Sequence, residues 1–191
     1  MFTELLEKID STTFLDDKKK AWYNTRTSYH IQLVQAAAAR IVSVYPEFVE
    51  LLMNVEQHDA SKFEEPELSP YIELTWLKKN GEGDNPDVNS PEINKATLHH
   101  IKYNAHHPEY HLENDADANI SADNRDESDK CVDASLMDDL SLVEMVCDWQ
   151  AMSEELGINT ARQWFNKTRD VRWHFSDIQV ELIDMLLEVF E

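Results

Sequence analysis

The chain has 191 residues, a length that suits one domain built around one core. Its formal net charge is -21, from 38 acidic against 17 basic residues, which sets it against the backbone of a nucleic acid duplex and against an anionic membrane. With 42% hydrophobic residues but only 3 Gly and 6 Pro, it lacks the turn residues of a sheet protein, so composition predicts an all-α fold, a single-domain helical bundle over 1–191.

Residues 2–9 read as a short helix carrying Phe2, Leu5, Leu6 and Ile9, broken by Ser11, Thr12 and Thr13. A long helix follows over about 16–45, with Trp22, Tyr29, Leu33, Ala37, Ile41 and Val44 at helical spacing. Pro46 ends it and opens a helix over 47–57, with Phe48, Leu51, Leu52 and Val55 inward and His58-Asp59 at its end. Another helix is expected over 66–79, then a loop over 80–90 that holds two of the three glycines. Pro91 starts a helix that runs to about His107, where Pro108 stops it.

Residues 112–139 carry ten acids and two bases and read as an acidic surface insertion. Within it, DADAN (115–119) resembles the start of a calcium loop. However, Ile120 stands where the turn needs Gly, and Asp126 where the loop needs Glu. Helices return over 140–152, about 159–168 and 176–190. Trp149, Trp164, Trp173 and Phe175 read as core. Cys131 and Cys147 form no CxxC pair, which points to reduced thiols and a cytoplasmic location. The N-terminus has no signal-peptide pattern and no stretch is a membrane span.

Eight histidines occur, and five of them (His99, His100, His106, His107 and His111) fall within thirteen residues. Imidazole and carboxylate together are ligands for a divalent transition metal. In QHDASKF, His58 and Asp59 are adjacent, and an Asp there can give one oxygen to each of two metals. His30 lies in the middle of the long helix. Two antiparallel arms joined near Pro46 would return it toward His58. Asp148 is set among Met145, Val146, Cys147 and Trp149, where a carboxylate is costly without a cation or hydrogen bond. On a helix, His100, Asn104 and His107 share one stripe, and His99, Tyr103 and His106 another.

The order of His30, His58-Asp59 and a distant Asp148, all on helices, resembles the HD-domain metal-dependent phosphohydrolase superfamily over roughly residues 20–155. HDASK is similar to the HDxGK form of some members, with Ala60-Ser61 in place of the usual pair. Several HD proteins with two or more metals carry extra histidines between the HD pair and the last Asp. HHIKYNAHH looks like that addition, although its two dipeptides are unusually close. In detail, HDxSKF, HxxxNxHHPE and EMxxDW are also similar to an uncharacterised family of bacteria and their phages.

The resemblance implies a hydrolase acting on a nucleotide or other small phosphoester through a metal-activated hydroxide. His30, His58, Asp59 and Asp148 would hold one divalent ion. Asp59 would bridge to a second, held by His100 and one or both of His106 and His107. Mn or Fe suits so many imidazoles, with Co, Ni and Mg open. Lys62 would contact a phosphate oxygen, while Glu109 and His111 would orient ligands or protonate the leaving group. A di-iron oxygenase on the same scaffold is the alternative chemistry. A non-enzymatic acidic interaction protein is the alternative that the charge suggests.

Overall fold

The computed structural model describes residues 2–82, 85–113 and 131–191 and, within them, the side chains from Asp16 onward except Pro86. Seven α-helices and a two-stranded sheet form its regular structure among these residues, in accord with the all-α expectation. None of the described helices is long and apolar enough to cross a membrane.

Helix α1 runs unbroken over Phe2–Val44. Ser11, Thr12 and Thr13 therefore do not end a first helix as expected; low helix propensity at three positions costs little inside a long helical run. Its buried face carries Val34, Ala37, Ala38 and Ile41, which pack against α5 (Asp139–Leu156). Small side chains at Ala37 and Ala38 let the two helices approach closely. The Asp138 side chain caps α5 by accepting from Ser141 N, and Gly157, at φ 65°, ends it in the left-handed conformation that glycine adopts freely.

The segment after Pro46 departs from the single helix expected over 47–57. A 3-10 turn, Pro46–Phe48, is followed by one short helix, α2 (Leu51–Asn54), and a second 3-10 turn, Ala60–Phe63. Asp59 joins them with φ 57° and ψ 18°, a left-handed conformation uncommon for any residue but glycine and tolerated by Asp. This sharp reversal turns His58 and Asp59 inward together.

Helix α3 (Leu68–Lys79) matches its expectation closely, and α4 (Pro91–Tyr103) starts at Pro91 as expected, with the Ser90 side chain accepting from Ile93 N as its cap. It ends four residues earlier than expected. Asn104 and His107 are extended, and a 3-10 turn, Pro108–His111, follows. The helical stripes that paired His100 with His107, and His99 with His106, are therefore not formed; a non-helical bend brings these residues together instead.

Helices α6 (Ala161–Thr168) and α7 (Asp177–Leu187) each begin with a capping box, Thr160 with Gln163 and Ser176 with Gln179. Strands β1 (Val132–Asp133) and β2 (Trp173–His174) pair in parallel, a small element the sequence reading did not anticipate. Behind them Trp149 stacks between Phe165 and Trp173, at ring-centroid distances of 5.9 and 6.0 Å, while Phe175 meets it edge-on. Trp149, Trp173 and Phe175 are thus core residues, and Trp164 packs on the core edge. DADAN and most of the acidic insertion lie outside the described residues.

Candidate metal centre

Three elements bring the ionisable groups to one buried point. Helix α1 supplies His30, the left-handed turn supplies His58 and Asp59, and α5 supplies Asp148. His30 Nε2 is 2.9 Å from Asp148 Oδ1 and 3.9 Å from Asp59 Oδ2. His58 Nε2 is 3.6 Å from Asp59 Oδ2 and 3.9 Å from Asp148 Oδ1. His30, the His58-Asp59 pair and Asp148, far apart in the chain, thus lie together.

The end of α4 and the bend after it supply a second set. His100 Nε2 and His106 Nε2 are 3.4 and 3.7 Å from Asp59 Oδ1. Asp59, 1% exposed, therefore presents Oδ2 to His30 and His58, and Oδ1 to His100 and His106. The ring of His107 adjoins both His100 and His106, at 4.8 and 4.3 Å between centroids. His99 turns the other way and stacks on Tyr103, at 5.2 Å. Of the two dipeptides, His100, His106 and His107 form the inward cluster and His99 does not join it.

A ring of carboxylates behind the histidines was missed from sequence. His30 Nδ1 lies 3.2 Å from Glu155 Oε2, which also pairs through Oε1 with Arg26 at 2.6 Å. Glu144 Oε1 is 2.8 Å from His58 Nδ1 and 3.4 Å from His106 Nδ1. Glu67, fully buried, accepts from His99 Nδ1 at 2.7 Å and from His100 Nδ1 at 3.0 Å. A carboxylate behind one ring nitrogen fixes the tautomer and aims the other nitrogen's lone pair forward. The available signal was helical phase: Glu144, Asp148 and Glu155 recur at spacings that keep them on one side of α5.

The ionisable groups of the centre shift one another's protonation. Burial opposes ionisation of Asp59, but the Lys62 ammonium, with His58, His100 and His106, outweighs it and holds the carboxyl well below its ordinary range. Asp148 is also held low, where the hydrogen bond from His30 overcomes burial. Glu144 is lowered to about 2 because the His106 and His58 donors overcome its desolvation. His30 moves the other way: burial disfavours its cation, but Asp148 and Glu155 outweigh burial and raise it to about 9. Burial, and then Lys62, lower His100, which favours the neutral imidazole that a metal needs.

Lys62 sits one turn beyond Asp59, with Nζ 2.5 Å from Oδ2. Its carbonyl accepts from Tyr23 Oη at 2.8 Å, which fixes the turn against α1. The loop carrying His106 and His107 is tied down at both ends. Asn104 Nδ2 donates to Ser61 Oγ at 2.9 Å, and the His111 ring is 2.8 Å from the Ala105 carbonyl. Trp173 Nε1 donates to the buried Glu109 at 3.2 Å. Glu109 and His111 thus anchor the loop through these contacts.

Two buried atoms show what the cluster suits. His58 Nε2 and Asp59 Oδ1 are shielded from solvent and make no hydrogen bond. Both point into the centre, where unmatched polar atoms are costly unless a cation is shared between them. The groups His30–His58–Asp59 and His100–His106–His107 each bring their ligand atoms within 4.8 Å of one another. Buried His and carboxylate groups that could hold a metal ion are therefore present, and their donor types fit a divalent transition metal.

Residues 19–189 match the family of unknown function DUF5662. The chain belongs to that family. No curated protein and no solved structure matches it. Its functional reading therefore rests on the centre itself.

Proposed function

We propose that this DUF5662 member is a metal-dependent phosphohydrolase of the HD type, acting on a nucleotide or another small phosphoester. The observation that carries the reading is the division of Asp59: one carboxylate oxygen faces His30 and His58, the other faces His100 and His106. A buried carboxylate shared in this way is the natural bridge between two cations.

In this reading His30, His58, Asp59 and Asp148 hold one divalent ion, and Asp59, His100, His106 and His107 the other. The donor set favours Mn or Fe. Bound ions of this kind lower the pKa of water and neutralise charge on a phosphoryl group. The protein's own part is positional. Asp59 keeps the two histidine sets in register, and the carboxylates behind the rings hold their orientation. Lys62, 24% exposed at its side chain, offers an ammonium to a phosphate oxygen at the edge of the centre. That local positive charge answers the general difficulty an acidic protein has in attracting an anion.

The test is metal content of protein purified without added metal, for the parent and Asp59→Ala, followed by phosphate release from a panel of phosphoesters with Mn or Fe. The reading expects about two ions per parent chain, both lost with Asp59, and hydrolysis by the parent alone. A parent that takes up no ion would overturn it in favour of a non-enzymatic acidic protein. Oxygen consumption with Fe and no hydrolysis would instead favour an oxygenase.

A further inference from the structure

His30, His58, His100 and His106 each have a carboxylate beside Nδ1, but these carboxylates are not equivalent. Glu155 stands behind His30, and Glu67 behind His100. Glu144 stands behind two rings at once, and those rings belong to different sets: His58 faces Asp59 Oδ2, while His106 faces Asp59 Oδ1. The same oxygen, Oε1, meets both Nδ1 atoms, and the His58 and His106 rings lie 4.3 Å apart between centroids.

We infer that Glu144 is the positioning residue that couples the two halves of the centre, so that neither metal ion is held at full affinity without it. This rests on the metal-centre reading above. Glu144 sits one turn before Asp148 on α5, so a single rigid helix supplies both a group at the centre and the group behind it. Its neighbours Val143 and Met145 are buried, which leaves the carboxylate little freedom to move.

Glu144 Oε1 is hydrogen-bonded to His58 Nδ1 at 2.8 Å and lies 3.4 Å from His106 Nδ1, a placement that favours the Nδ1–H tautomer at both rings. The Nε2 lone pairs of both then point toward Asp59. Serving instead as a ligand would require Glu144 to give up its hydrogen bond with His58 and its contact with His106, at the cost of a buried N–H left unmatched. The shared oxygen also makes the ring orientations interdependent: a rotation of His58 that loosens its contact with Glu144 loosens the support of His106 as well. Glu155 stands behind His30, and Glu67 behind His99 and His100, each on one side of the centre. The EMxxDW segment thus has a reason for its acid at 144 that is separate from Asp148.

The test uses cobalt(II) as probe, with uptake followed by d–d absorption on the parent, Glu144→Gln, Glu144→Ala and the surface control Glu154→Gln. The parent should take up two ions. Glu144→Gln, which keeps shape and one acceptor, should weaken both by about ten- to a hundredfold and change the absorption of each; Glu144→Ala should weaken both further. Glu154→Gln should match the parent. A parent with two ions and a Glu144→Gln variant with unchanged affinity, or with loss confined to one ion, would overturn the coupling and leave the metal centre standing. A parent with no ion would overturn the metal centre itself.

Should the variants fail to fold, the imidazole nitrogen-15 spectrum of the unsubstituted, metal-free protein at alkaline pH decides. Nδ1–H tautomers at both His58 and His106 are expected, and an Nε2–H tautomer at either would overturn the role of Glu144.

Discussion

His30 Nε2 meets Asp148 Oδ1 at 2.9 Å, joining α1 to α5 inside the candidate centre. With Glu155 behind it, this contact raises the imidazole pKa from 6.5 to about 9, against the opposing effect of burial. In the metal-free protein the folded state keeps this proton until about pH 9, while the unfolded chain releases it near 6.5. Between those values the folded state binds more protons, so stability is full below 6.5 and declines as pH rises through 9. Urea midpoints across that window should fall for the metal-free parent, and His30→Gln should remove most of the slope.

Lys62 is expected to have opposite effects on stability and metal affinity. Its ammonium rests on Asp59 Oδ2, the oxygen that the metal reading assigns to an ion. Lys62→Met should destabilise the metal-free protein by about 1–3 kcal/mol, because a buried carboxylate loses a donor; partial exposure of the lysine places the value toward the lower end. The same change should tighten metal binding by removing a competitor. Thermal melts with and without Mn would show both, and weaker metal binding in Lys62→Met would contradict the competition.

Trp173→Phe tests whether the loop carrying His106 and His107 is held from behind. The indole N–H reaches Glu109 at 3.2 Å, and the ring itself is core. Phe preserves the packing with Trp149 but leaves the buried carboxylate one donor short, at a cost of about 1–3 kcal/mol. Uptake at the His100–His106–His107 group should suffer more than at His30–His58–Asp148. Equal loss at both, measured by calorimetric titration, would count against a local role.

Leu142→Ala probes the α1–α5 interface that holds the centre together. Leu142 is fully buried in the main core, so truncation should cost about 2–5 kcal/mol. Chemical denaturation should register this loss. Added Mn at a hundred times its dissociation constant should restore about 2.7 kcal/mol, since the ion binds only the folded chain.

Much of this arrangement was legible in the residues. Few glycines and 3.6-residue spacing announced the helices, and Pro91 announced the start of α4. Asp148 was legible because a carboxylate inside an apolar helical stretch requires a partner, and His30 with the His58-Asp59 pair was legible through its resemblance to the HD-domain pattern. Ser11 to Thr13 misled, because local propensity is weak beside helical continuity. The stripe of His100 and His107 misled because periodicity assumes that the helix continues, and Asn104 ends it.

By itself, then, the sequence determined the helical class, the buried apolar faces and the residue types able to bind a divalent cation. These follow from composition and local periodicity, which act over a few residues. Only the tertiary structure decided that His100, His106 and His107 turn inward while His99 does not, that Asp59 divides its oxygens between two sets, and that Glu67, Glu144 and Glu155 stand behind the rings. Those are contacts between side chains distant in the chain. Their geometry depends on how α1, α4 and α5 pack and on one left-handed turn at Asp59, which local sequence patterns do not encode.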